Sequence, residues 1–199
     1  MGLSRVIRWG GISAVIGGAL FVLGDLLGLS LGDDFTEYAG TSTFVIQQAL
    51  FLFGTVLVLF GLFGLYARQV EAAGTLGLVG FLVAFLGTAL MAGLSWTQLF
   101  VVPFVAAEAP ALLETEPVGS VLSFLTFLVG WLVFGVSALR AGVYPRAAAI
   151  LLIVGAVLPL VGFILPASAF VFGFAVAWLG LVLFSGGNVS VEQHAHASS

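Results

Sequence analysis

Residues 147–184 read AAAILLIVGAVLPLVGFILPASAFVFGFAVAWLGLVLF, and no charged side chain occurs between Arg146 and Glu192. As one helix this run would be about 57 Å long, nearly twice the hydrocarbon thickness of about 30 Å. It must therefore turn back once. The apolar pattern breaks at Pro166-Ala167-Ser168, which predicts a fifth span Ala147–Leu165 and a sixth, Ala169–Phe184. Backbone this apolar has a bilayer for its solvent, where helices satisfy their own hydrogen bonds.

Working outward from that hairpin, the same ruler finds four earlier spans. The first is Trp9–Leu31, with Arg5 and Arg8 before it and Asp33, Asp34 and Glu37 after. The second is Ser42–Tyr66, ended by Arg68 and Glu71, and the third is Leu76–Phe100. A loop with Pro103, Glu108, Pro110, Glu114, Glu116 and Pro117 leads to the fourth, Val118–Leu139, closed by Arg140. The expected fold is all-α: a polytopic transmembrane helical bundle of about six spans over residues 1–186, then a polar tail, 187–199. Composition agrees, at 61% hydrophobic and 7% charged residues with mean hydropathy +1.26. Soluble domains hold about 45–50% apolar and about 25% charged residues.

Orientation follows from the arginines, because cytoplasmic loops are enriched in them. With the N-terminus inside, Arg5, Arg8, Arg68, Arg140 and Arg146 are all cytoplasmic. Asp33, Asp34, Glu37, Glu108, Glu114 and Glu116 are then all outside. An N-in, C-in topology satisfies every loop at once and predicts a multi-pass protein of the cell membrane. The first apolar run is too long for a signal-peptide core and lacks an A-x-A site, so it is expected to be retained.

Several chemistries are excluded. The chain has no Cys, which removes disulfides, thiolate nucleophiles and Cys-based metal sites. It has no Lys, so a Schiff base cannot form. Its two His lie in the tail, so no intramembrane histidine pair can hold a haem. No P-loop, G-x-S-x-G or H-E-x-x-H is present. A net charge of −4 argues against nucleic acid. No cofactor and no metal are expected. Paired imidazoles at His194 and His196 in a polar tail are a weak metal signal, and the sequon Asn188-Val189-Ser190 falls on the cytoplasmic side.

Glycine, 27 residues in all, is dispersed through the apolar runs. Pairs seven apart recur at Gly17/Gly24, Gly54/Gly61, Gly80/Gly87, Gly155/Gly162 and Gly173/Gly180, and seven residues mark one helix face. Arg8 stands to Gly17 and Gly24 as Arg146 stands to Gly155 and Gly162. This reads either as a duplicated hairpin or, more simply, as small residues on packed faces.

One polar constellation stands out. Asp25 is the ionisable residue well inside a span, about 25 Å up the helix from Arg8, and an intramembrane carboxylate is a functional candidate. It shares a seven-residue series with Gly11 and Gly18, which turns it into the bundle. Gln47, Ser95, Gln98 and Ser123 fall at similar depth on glycine faces, with Gln48 and Trp96 nearby. Together Asp25, Gln47, Ser95, Gln98 and Ser123 could line one outward-open ligand site. The alternative is interhelical hydrogen bonding with no ligand at all. Trp9, Tyr66 and Tyr144 near inner span ends, and Tyr38 and Trp96 near outer ones, read as an interfacial belt. Ala106–Glu116 has the pattern of a short amphipathic surface helix, with Pro110 against it.

Arg8-Trp9-Gly10-Gly11, and Gly64-Leu65-Tyr66-Ala67-Arg68-Gln69 with Glu71 and Gly74 following, resemble segments of small multi-span prokaryotic membrane proteins of unassigned function. The resemblance covers the first half and implies topology, not activity. The leading expectation is a structural or accessory membrane component without catalysis, embedded in lipid beside other membrane subunits or a second copy of itself. The rival is a small transporter or ligand-binding protein centred on Asp25. An enzyme using Asp25 or Glu37 on a lipid comes third.

Overall fold

A computed structural model describes residues 3–32, 34–114, 117–161 and 169–197, and side chains within 4–32, 34–114, 117–160 and 170–185. Its helices are α1 (Leu3–Gly28), α2 (Phe35–Tyr38), α3 (Ser42–Phe100), α4 (Val102–Glu108), a 3-10 turn (Pro110–Glu114), α5 (Val118–Ala141), α6 (Arg146–Val157, extended by a 3-10 turn over Leu158–Val161) and α7 (Ala169–Ala197). No strand occurs among the described residues. The protein is a helical bundle, and among the described residues three helices are long and apolar enough to cross a membrane: Ser4–Gly28, Ser42–Phe100 and Pro110–Ala141.

The 59 residues of α3 do not form one rod, because Gly74 adopts φ 56°, ψ −154°. That left-handed φ is open to glycine at little cost. The limbs 42–73 and 75–100 fold back on each other there. Tyr66 stacks on Phe81 at 4.5 Å between ring centroids, and Phe63 meets Phe81 and Phe85 at 5.4 and 5.6 Å. The expected loop after Tyr66 is thus helical as far as the glycine turn. At the other boundaries, α1 stops at Gly28, short of the expected Leu31, and α7 runs on through the expected tail to Ala197. Asp33, Glu116 and the expected break at Pro166-Ala167-Ser168 lie outside the described residues.

Glycine sets the distance between helices. A Cβ at Gly61 would sit 2.8 Å from the Cβ of Ala14, and one at Gly17 would sit 2.9 Å from the carbonyl oxygen of Gly54. On the next face of α1, a Cβ at Gly180 would lie 2.7 Å from the carbonyl oxygen of Gly11. The second limb of α3 meets α5 in the same way, with Gly80 against Phe134 and Gly87 against Phe127. Each seven-residue series marks one interface. Gly17 and Gly24 face α3, Gly11 and Gly18 face α7, and Gly155 faces Phe172 of α7. Gly17 and Gly155 each press on the following span, as packing between neighbours in the chain requires. Gly162 lies outside the described residues.

Small polar groups join the apolar core, and large apolar side chains also cover the outside. Thr55, Gln69, Thr88, Ser95, Ser123 and Ser137 are inside, while Phe53, Phe60, Leu82, Leu86, Phe174 and Leu181 face outward. The aromatic centre is Phe127, Trp131, Phe134 and Phe172. There the Trp131 indole N–H donates to Thr88 Oγ1 at 2.9 Å, and Thr88 donates to the carbonyl of Ala84 at 2.6 Å. A second small core closes one end, where Ala39, Phe44 and Val102 gather Leu31, Phe35, Tyr38, Ala106 and Leu113. Asp34 caps α2 there, and its bonds from Thr36 hold the carboxylate below its ordinary pKa. The segment expected as one amphipathic helix is divided at Ala109 between α4 and the 3-10 turn.

Backbone atoms on both sides of these contacts cannot yield as a flexible side chain can. Gly61→Val and Gly180→Val should each cost about 1–3 kcal/mol of stability through overpacking. Thermal melts of the protein in mild detergent will measure the loss.

Candidate functional site

Asp25 is half-buried near the C-terminal end of α1, and it reaches across to α7. The backbone N–H of Phe170 donates to Asp25 Oδ2 at 2.7 Å. Phe170 is the second residue of α7, so its N–H has no acceptor within its own helix. A carboxylate at that position also meets the positive end of the helix dipole. The contact is possible because Gly18 and Gly173 bring α1 and α7 together two turns away.

Gln47 lies on the first limb of α3 with its amide against Gly28. It therefore sits at the same end of α1, on the side facing α3. Ser95 is buried in the second limb. Gln98 and Ser123 lie in a different place, lining a cavity of about 660 Å³ between the second limb of α3 and the start of α5. Ser123 donates to the carbonyl of Gly119 at 2.7 Å, and Gln98 Oε1 is buried without a hydrogen-bond partner. Asp25, Gln47 and Ser95 are not among the residues that line this cavity. The five expected residues thus share one end of the bundle but not one chamber. Trp96 is 57% exposed and packs on Phe100.

The opposite end holds polar groups that sequence reasoning did not single out. Gln69 is fully buried, and neither Nε2 nor Oε1 has a partner. Ser137 Oγ is likewise buried and unpartnered. Thr55, Thr88 and Thr126 each donate to the carbonyl four residues back, but Ser137 does not. Its oxygen instead lies 3.0 Å from where a Cβ of Gly77 would be. Gln69 continues the period of the buried Val58, Leu62 and Leu65, and that period was the available signal. Ending the second span at Tyr66 hid it.

Tyr144, expected in the interfacial belt, is only 4% exposed. Its hydroxyl donates to the carbonyl of Leu65 at 2.7 Å, tying the α5–α6 loop to α3. Burial pushes that hydroxyl's pKa well above its ordinary value, against the opposing pull of Arg68. The Arg68 guanidinium stands 6.0 Å over the Tyr144 ring and donates to the carbonyl of Val182 at 3.5 Å. The side chains of His194, His196 and Asn188 lie outside those described.

No protein-family model, curated protein or solved structure matches this chain.

Removing the Asp25 acceptor by Asp25→Ala should cost about 0.5–2 kcal/mol, as for a lost helix cap, while Asp25→Asn keeps an oxygen in place and most of the stability. Paired thermal melts of the two variants will separate the effects. Gln69→Met replaces an unpaired amide by an apolar chain of similar length and should stabilise by about 1–3 kcal/mol; a lower melting temperature would show that the amide is satisfied in the folded protein.

Proposed function

We propose that this chain is a six-span, multi-pass protein of the cell membrane, N-in and C-in, serving as a structural or accessory component of a membrane assembly. The observation that carries this reading is the bond from the Phe170 N–H to Asp25 Oδ2. The carboxylate that most invited a transport or ligand role is engaged in joining two helices. Interhelical polar contacts of this kind are the ordinary use of polar groups in membrane bundles.

The topology draws support from where charges gather. Arg8 lies 5.5 Å from the Phe184 ring centroid, and Arg68 reaches Val182 and Tyr144. Arg140 and Arg146 flank the same loop as Tyr144. The arginines therefore collect at one end, and Asp34, Glu37 and Glu108 belong to the loops of the other. The outward-facing phenylalanines and leucines suit lipid or a partner's helices. In this reading the chain keeps company with the small multi-span prokaryotic membrane proteins that its span ends resemble.

The absence of native Cys makes the topology directly testable. Single cysteines at Glu37 and Glu114 should react with a membrane-impermeant maleimide on intact cells, and cysteines at Gly142 and Arg68 should react only after lysis. The reverse pattern, or labelling of all four from outside, would refute the orientation. For the accessory role, mass spectrometry of the protein extracted in mild detergent from its native membranes should find a protein partner in fixed stoichiometry. Recovery without any partner would count against it.

A further inference from the structure

Glycine weakens a helix interior relative to alanine, and in this bundle it usually gains a close helix contact in exchange. Two helix positions gain none. A Cβ at Gly93 or Gly119 would meet nothing within 4 Å. At the other helix glycines with ordinary backbone angles and described surroundings it would touch a neighbouring group. Gly93 and Gly119 both line the cavity between the second limb of α3 and α5. What they provide there is room.

The cavity, at about 660 Å³, falls within the 300–1,000 Å³ typical of small-molecule sites. Leu90 and Leu94 form its apolar wall, and Phe35 and Leu113 of the end-closing core cover it. No ionisable side chain lines it among the described residues, so a charged ligand would be desolvated there without a counter-ion. Its polar side chains are uncharged, three hydroxyls and one amide. Thr97 donates its proton to the carbonyl of Gly93 at 3.1 Å, and Ser123 donates to that of Gly119 at 2.7 Å. Both hydroxyls keep their lone pairs, Ser120 adds a further hydroxyl, and Gln98 lines the cavity with its amide, whose Oε1 is itself buried from it. A matching ligand is apolar along its length, uncharged, and carries a hydroxyl, which can donate to the Ser123 oxygen and accept from the Gln98 amide.

We propose that this cavity binds a neutral, hydroxyl-bearing single-chain lipid, its chain along Leu90 and Leu94 and its hydroxyl toward Gln98 and Ser123. The proposal rests on the bilayer reading only for the supply of lipid, since binding itself can be read in detergent. An inverted topology would leave it standing.

The test uses the full chain in mild detergent with monooleoylglycerol carrying a diazirine in its acyl chain. Adducts should map to peptides covering residues 89–98 and 117–123, and unlabelled monooleoylglycerol should compete them away. The double variant Gly93→Leu/Gly119→Leu fills the space without striking a neighbour. It should lose labelling at least about tenfold while melting no lower than the parent protein. A diazirine-labelled oleate at neutral pH, charged at its carboxylate, should label at least about tenfold less than the glyceride. Should the double variant fail to fold, Gly93→Ala and Gln98→Leu serve in its place, each with reduced labelling expected. Adducts spread over the outward face at Phe53 and Phe60, labelling unchanged by filling the cavity, or oleate labelling as strong as the glyceride would each overturn the proposal.

Discussion

Contact of helix backbone with helix backbone at glycine is the constraint on which the rest of this structure depends. In a bilayer, burying a leucine against another helix gains little over leaving it in lipid, so association relies on close packing and polar contacts. α1 shows how far this goes. Gly10 and Gly17 seat it on the first limb of α3, and Gly11 and Gly18, one residue onward and therefore about 100° around the helix, seat it on α7. The helix is held from two sides by two interleaved series. That double contact fixes its register, and the register decides which polar groups meet at its ends.

Polar groups in the bundle divide by whether that register supplies a partner. The Trp131 indole finds Thr88, the Tyr144 hydroxyl finds the Leu65 carbonyl, and Asp25 finds an N–H at the start of α7. Each bond joins segments distant in the chain, so each also specifies which helices are neighbours. Gln69 and Ser137 meet no such partner. A buried amide left unpaired costs about 1–3 kcal/mol, and Gln98 Oε1 bears part of that cost at the end carrying Asp25 as Gln69 does at the other.

The helical class and the packed faces were legible in the sequence because each rests on local information. Apolar length reports a helix in lipid, and glycines seven apart report a face. Partners were not legible, because adjacency of α1 and α7 joins residues more than a hundred positions apart. Asp25 was visible as unusual, but its acceptor role toward Phe170 could not be read without knowing that neighbour. The same gap made Gln98 and Ser123 look like companions of Asp25, although they line a separate cavity. Tyr144 failed for a related reason, since aromatic position near a span end does not distinguish a ring facing lipid from one folded inward to a helix carbonyl.

The two roles of glycine in α3 follow from one geometry. Near the Gly74 turn, Gly80 and Gly87 draw the second limb onto α5, and Gly130 of α5 returns the contact at Ala84. Two straight rods pressed together at one level diverge at another unless they are parallel. Gly93 and Gly119 lie beyond these contacts, where a Cβ would meet nothing. Larger side chains could have filled the wedge. Instead Leu113 and Phe35 roof it, and α2, α4 and the 3-10 turn assemble a small core of their own above it. The tight contact below and the space above draw on one residue type: at Gly80, Gly87 and Gly130 the missing Cβ lets the helices touch, and at Gly93 and Gly119 it leaves the cavity unfilled.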